Sequence, residues 1–184
     1  MKKPLPLVAL LIAAILTITA CGNSTGKAGS SGDNNKQDVT FAQDMIPHHQ
    51  QAVQMANMAK SRASSSQVKQ LAADIEAAQG PEITTMTGWL QTWGEKVPSG
   101  SMSGMGGGMP GMMSTRYMKK LGNATGATFD QMWLQGMTGH HEGAVEMANT
   151  EIAKGQNTDA IALAKSIKAA QTREIAKMRT MLNP

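Results

Sequence analysis

The chain has 184 residues, 41% apolar and 16% charged, a length and composition typical of one globular domain with a buried core. Aromatic residues make up only 3%, which argues against a β-sandwich or barrel and against nucleic-acid binding by base stacking. The single cysteine excludes an internal disulfide and a zinc site built from several thiolates. The formal charge of +4 includes Lys2 and Lys3 of a removable leader, so it is weak evidence for a nucleic-acid partner.

The first 20 residues are typical of a bacterial lipoprotein signal peptide. Two lysines precede an apolar run from Leu5 to Ile18, and a small-residue pair then leads to Cys21. We therefore expect Cys21 to be lipidated and the protein to be exported and membrane-anchored on the extracytoplasmic side of a bacterial envelope. The alternative is an ordinary signal peptide followed by an incidental cysteine. Residues 21–37, rich in Gly, Ser and Asn, are expected to form a flexible tether.

The remaining chain, residues 38–184, contains an internal repeat with an offset of 92 residues. Its clearest element is Met-x-x-His-His, and all four histidines of the chain fall into the two copies. Apolar residues around each copy are spaced by three and four, which predicts helices, and a second such stripe follows a short polar break. The pattern predicts an all-α four-helix bundle of two antiparallel helical hairpins, 38–94 and 115–184, joined by a Met- and Gly-rich linker, 95–114.

The repeated motif resembles the domain of unknown function 305 family. The resemblance rests on residues 41–56 and 133–148, on either side of a Leu-Gly-x-x-x-Gly linker at 121–126, and the matching region covers about residues 38–181. It implies a ferritin-like four-helix bundle that is usually exported, in a family with members linked to copper binding.

The chemistry of the motif independently favours copper. Met45 lies three and four residues before His48 and His49, so the three share one region of helix surface, and Met137 repeats this arrangement with His140 and His141. Neutral imidazole and thioether donors suit Cu(I), and imidazole also suits Cu(II). We expect His48 and His140 to lie deeper than their neighbours. The candidate metal ligands are His48, His49, His140, His141, Met45, Met137, Met55 and Met147.

Further side chains are candidates for supporting roles. Hairpin register places Glu82 near the first Met-His pair, and Glu174 repeats it; either glutamate could bind metal, orient a histidine or belong to a buried polar network. Met86 and Met178, at helical spacing, are expected mainly to pack in the core. Five linker methionines form either a mobile soft-metal site or part of a spacer: Met102, Met105, Met109, Met112 and Met113.

Two other functional classes remain open at this point. A ferritin-like di-iron or di-manganese protein needs Glu-x-x-His motifs, but Met45 and Met137 stand where the glutamates would be. The other alternative is a structural or partner-binding surface bundle without metal. We find no catalytic constellation and expect a non-enzyme. The expected partners are copper, Cu(I) or Cu(II), the membrane through the lipid, and a copper donor or acceptor protein, but not nucleic acid.

Overall fold

The protein is an all-α bundle. The computed structural model describes residues 33–99 and 109–183 and contains, within them, five helices and no strand. The helices are α1 (Lys36–Arg62), α2 (Ser66–Trp93), α3 (Thr115–Asn123), α4 (Gly126–Lys154) and α5 (Thr158–Leu182). No helix among these residues is long and apolar enough to cross a membrane. The predicted fold class is confirmed, whereas Cys21 lies outside the described residues.

The four long helices form two hairpins that pack against each other. Residues 63–65 join α1 to α2, and residues 155–157 join α4 to α5, so each pair is antiparallel and in contact along its length. The hairpins meet chiefly through α1 and α4. These two helices carry the two Met-x-x-His-His motifs, so the hairpin interface is where the motifs face each other.

The start of α1 lies within the segment expected to be a tether. Asn35 and Asp38 form a reciprocal capping box that starts α1 at Lys36, so the segment expected as tether overlaps the first two helical residues. Pro47 lies buried inside α1. A proline removes one internal hydrogen bond. The helix nevertheless continues through this position because its remaining buried face is held by the core.

One aspartate in each hairpin accepts hydrogen bonds from the turn of the other hairpin. The Asp38 carboxylate in α1 accepts hydrogen bonds from the amides of Gln156 and Asn157 in the α4–α5 turn, both at 3.0 Å. Asp130 in α4, its counterpart in the repeat, accepts from the amides of Ser64 and Ser65 in the α1–α2 turn at 3.2 and 2.9 Å. We call these contacts the reciprocal caps. They satisfy turn amides at the start of α2 and α5 that a helix cannot pair internally.

The buried apolar residues form two clusters related by the repeat. One includes Phe129, Trp133 and Leu71; the other includes Phe41, Ile46 and Leu90. Trp133 also donates a hydrogen bond from Nε1 to the Met55 carbonyl at 3.0 Å, linking α4 to α1. This bond satisfies the indole N–H in a site with no water contact.

Candidate metal centre

His48 of α1 and His140 of α4 lie against each other at the centre of the hairpin interface. Their ring centroids are 3.7 Å apart and their planes are tilted by 34°. Both side chains are fully buried. Because each is the first histidine of its motif, the internal repeat brings equivalent residues together across an approximate two-fold axis.

The second histidine of each motif turns toward the partner helix of its own hairpin. His49 Nε2 lies 2.7 Å from Glu82 Oε2, and His141 Nε2 lies 2.8 Å from Glu174 Oε2. The glutamate side chains are 19% and 21% exposed, whereas both histidines are 0% exposed. The expectation that His48 and His140 lie deeper than their neighbours is therefore wrong: all four are equally buried, because the glutamates occupy the positions that face solvent.

The hydrogen bonds fix which nitrogen of three imidazoles carries a proton. Carboxylates and carbonyls accept, so His49 and His141 donate from Nε2 to glutamate, and His48 donates from Nε2 to the Pro110 carbonyl at 3.1 Å. In the neutral form, Nδ1 of each ring then carries a lone pair. Nδ1 of all four histidines, and Nε2 of His140 as well, are buried without a hydrogen-bond partner of normal geometry. Unpaired buried nitrogens are costly, and they are suitable metal donors.

Burial also keeps the imidazoles uncharged. It lowers the pKa of His48 to about 3, an effect increased by neighbouring histidines and only partly offset by the Pro110 carbonyl. Burial and the nearby His48 hold the pKa of His140 well below its ordinary value. Burial lowers the pKa of His141 as well, against the opposing effect of Glu174. At neutral pH these three rings are in the form that can bind a metal ion.

The candidate methionines fall into two sets that the repeat makes equivalent. Met137, Met178 and Met55 lie in the cluster around Trp133, and Met45, Met86 and Met147 lie in or against the cluster around Phe41. Each set combines two methionines of one hairpin with one from the other hairpin. We call them the two methionine triplets. All six side chains are buried except that of Met147, which is partly exposed.

The kinds of donor atom present determine which metal ions this region could bind. Within residues 33–99 and 109–183, no three His, Cys, Asp or Glu side chains converge closely enough to hold a metal ion. The soft donors among the described residues are the buried imidazoles and the thioethers of the two methionine triplets. That donor set suits Cu(I) and is poor for iron, manganese, magnesium or calcium, which prefer more oxygen ligands.

The end of the linker packs over the histidine pair. Residues 109–113, which we call the strap, include Pro110, whose carbonyl bonds to His48, and Gly111, which has φ +78° and approaches the carbonyls of Gly139 and His140. Gln51 bonds to both the amide and the carbonyl of Met113, at 2.7 and 3.0 Å. Of the linker methionines, three belong to the strap and are partly buried: Met109, Met112 and Met113. Met102 and Met105 lie outside the described residues.

Sequence reasoning did not identify Gln51, Pro110 or the reciprocal caps as part of this arrangement. The available signal was a break in the repeat: Gln51 corresponds to Gly143, and Pro47 to Gly139. A difference between equivalent positions of a repeat can indicate a contact that only one half makes. Here that contact is the strap.

Comparisons with known proteins agree with this architecture. Residues 38–182 match the family model described as domain of unknown function (DUF305). A putative secreted DUF305 protein from Streptomyces coelicolor is 38% identical, with a TM-score of 0.73 over 80% of this chain and 92% of that one. CopM in its Cu(II)-bound form is 31% identical (TM-score 0.70; 79% and 95% covered), and in its Cu(I)-bound form 30% identical (TM-score 0.66; 79% and 95% covered). No curated protein matches.

Proposed function

The chain belongs to the DUF305 family, and on that basis we propose that it is an extracytoplasmic lipoprotein that binds copper for sequestration, tolerance or delivery. The observation that carries the proposal is the set of five imidazole nitrogens of the two Met-x-x-His-His motifs that are buried without a hydrogen-bond partner of normal geometry. CopM, about 30% identical over nearly its whole length, has been crystallised with Cu(I) and with Cu(II). The secreted relative supports an extracytoplasmic location.

The ligands we propose are the four histidines with Met45 and Met137, and the other members of the two methionine triplets contribute sulfur. Neutral donors accept a monovalent ion without a build-up of negative charge. Glu82 and Glu174, bonded to Nε2 of His49 and His141, fix the tautomer that leaves Nδ1 free and increase its basicity. Because the glutamates are partly exposed, their carboxylates can balance the charge of an added cation while they remain partly hydrated.

The carboxylate chemistry of a di-iron or di-manganese protein receives little support. Such sites bring together several glutamates, two of them in Glu-x-x-His motifs, and here Met45 and Met137 occupy the positions of those two glutamates. A bundle that only packs its histidines would have to tolerate the unpaired nitrogens described above. The two alternatives predict iron or manganese in the first case, and no metal in the second.

The test is an equilibrium titration of the purified protein with Cu(I), under reductant and against a competing chelator, and with Cu(II) separately. Replacing all four histidines by alanine is expected to abolish Cu(II) binding and leave a weaker Cu(I) affinity carried by methionine. Met45→Leu with Met137→Leu is expected to weaken Cu(I) and spare Cu(II), because thioether sulfur contributes little to Cu(II).

The matched control is Met58→Leu with Met132→Leu, since these partly buried methionines lie outside the two triplets. Thermal unfolding of each variant shows that it is folded. If the four-histidine variant binds both oxidation states as tightly as the unchanged protein, the histidines are structural and the proposed function is wrong.

A further inference from the structure

The strap makes two otherwise equivalent histidines chemically different. His48 and His140 occupy matching positions in the repeat, yet the Pro110 carbonyl accepts a hydrogen bond from His48 Nε2 at 3.1 Å, whereas neither nitrogen of His140 has a hydrogen-bond partner of normal geometry. The strap therefore bonds to one of the two rings and not to the other.

The sequence holds the strap in this position from both sides. On α1, the Gln51 side chain accepts from the Met113 amide and donates to the Met113 carbonyl. On α4, the corresponding residue is Gly143, and a Cβ there would overlap the carbonyl group of Pro110. Gln51 and Gly143 thus occupy equivalent positions of the repeat. Gln51 holds the strap by two hydrogen bonds, and Gly143 leaves room for the Pro110 carbonyl.

We propose that Gln51 and Gly143 are positioning residues that hold the strap so that a soft monovalent metal ion binds first on the His140 side. His48, bonded to the Pro110 carbonyl through Nε2, can coordinate only through Nδ1 while that bond lasts, whereas His140 can turn either nitrogen toward an ion without breaking a hydrogen bond of normal geometry. The inference rests on the proposed function, and it adds an order of occupancy to a site whose sequence repeat suggests two equal halves.

Two helical glycines provide a matched pair of variants. Gly143→Ala forces the strap away from the pair, because the new methyl group meets backbone atoms of Pro110, which cannot turn aside as a side chain can. Gly139→Ala lies one turn earlier on α4, with no atom within 4 Å of the new methyl group. Both changes bring the same gain in helix propensity, so they differ in their effect on the strap.

The first readout needs no metal. Long-range proton–nitrogen NMR of the imidazoles is expected to show His48 protonated at Nε2 in the unchanged protein and in Gly139→Ala. In Gly143→Ala the His48 Nε2–H signal should shift or be lost. The resonance is assigned with a His48→Gln variant.

The second readout is titration with Ag(I), a redox-inert soft monovalent ion. In the unchanged protein and in Gly139→Ala, the first equivalent should move His140 resonances and leave those of His48 in place. In Gly143→Ala the preference for His140 should fall by about five-fold, the amount that one hydrogen bond typically contributes. Gln51→Ala, with the exposed Gln54→Ala as control, loosens the strap from the α1 side and should give the same result if Gly143→Ala is poorly folded.

The inference and the proposed function can fail separately. If both strap variants retain the His48 signal and the order of Ag(I) occupancy of the unchanged protein, the strap does not position the pair and the inference is overturned. If the unchanged protein binds neither Ag(I) nor Cu(I), the proposed function fails and the order of occupancy with it. The metal-free spectra still decide whether the strap sets the state of His48.

Discussion

Glu151 should make the stability of the bundle fall as the pH rises. Its side chain is fully buried at the end of α4, near the reciprocal cap of Asp38. Burial and, to a smaller extent, the neighbouring Asp38 carboxylate together raise the pKa of Glu151 from 4.5 to about 8. Burial would raise the pKa of Asp38 too, but hydrogen bonds from Glu151 and from backbone amides bring it below its ordinary value. The two carboxyl groups therefore share one proton.

The direction and the size of the stability change follow from the raised pKa of Glu151. Below about pH 4.5 the group is protonated in both the folded and the unfolded chain, and it costs nothing. As the pH rises toward 8, the unfolded chain releases the proton and the folded chain retains it, so the folded state loses stability. At about 1.4 kcal/mol per pKa unit, the full loss is at most about 5 kcal/mol.

Glu151→Gln is the perturbation that isolates this effect. The amide imitates the protonated acid, including its ability to donate to Asp38, and it does not titrate. The unchanged protein and the variant should have similar stability near pH 5, and the variant should be more stable by several kcal/mol at pH 8. Urea unfolding followed by circular dichroism at a series of pH values measures the difference.

The exposed Glu146→Gln, on the same helix, serves as the control and should run parallel to the unchanged protein. Comparing variants at each pH cancels the contribution of the histidines and the other groups. If the Glu151→Gln and unchanged curves are parallel from pH 5 to pH 8, Glu151 is ionised in the folded protein and the reasoning is refuted.

Three further outcomes are expected. Asp130→Ala should lower the free energy of unfolding by about 1–3 kcal/mol in urea melts, because it leaves the amides of the α1–α2 turn unpaired, whereas the exposed Asp33→Ala should be neutral. Trp133→Phe should cost at least about 1 kcal/mol in the same assay, since the ring packing is largely kept but the Met55 carbonyl loses its donor. Cys21→Ala should release the protein from the membrane fraction and remove the lipid mass from its N-terminus; unchanged retention would contradict lipidation.

The helices and the proximity of the histidines to the glutamates could be predicted because both depend on local spacing. Residues three or four apart share a helix face, and a short turn fixes the register between the two helices of a hairpin. Those two rules placed Glu82 near the Met45–His48 region, and the structure has it bonded to His49. Because the sequence repeats, the same argument places Glu174 near the second Met-x-x-His-His motif.

The strap could not be predicted because it has no periodicity. Its contacts with His48 and Gln51 join residues 62 positions apart, and they depend on where an irregular Gly- and Met-rich segment crosses the bundle. The reciprocal caps were hidden for a similar reason. Asp38 and Asp130 were visible as matched residues, but nothing local shows that each carboxylate reaches a turn of the opposite hairpin.

The reciprocal caps make the two hairpins depend on each other. The bonds from each aspartate to a turn need a second hairpin, and each hairpin turn relies on an aspartate that its own hairpin does not contain. A single hairpin with this sequence pattern would satisfy both needs by pairing with a copy of itself. Joining the two hairpins in one chain lets their sequences differ, since in a dimer of identical hairpins Gln51 and Gly143 would have to be the same residue.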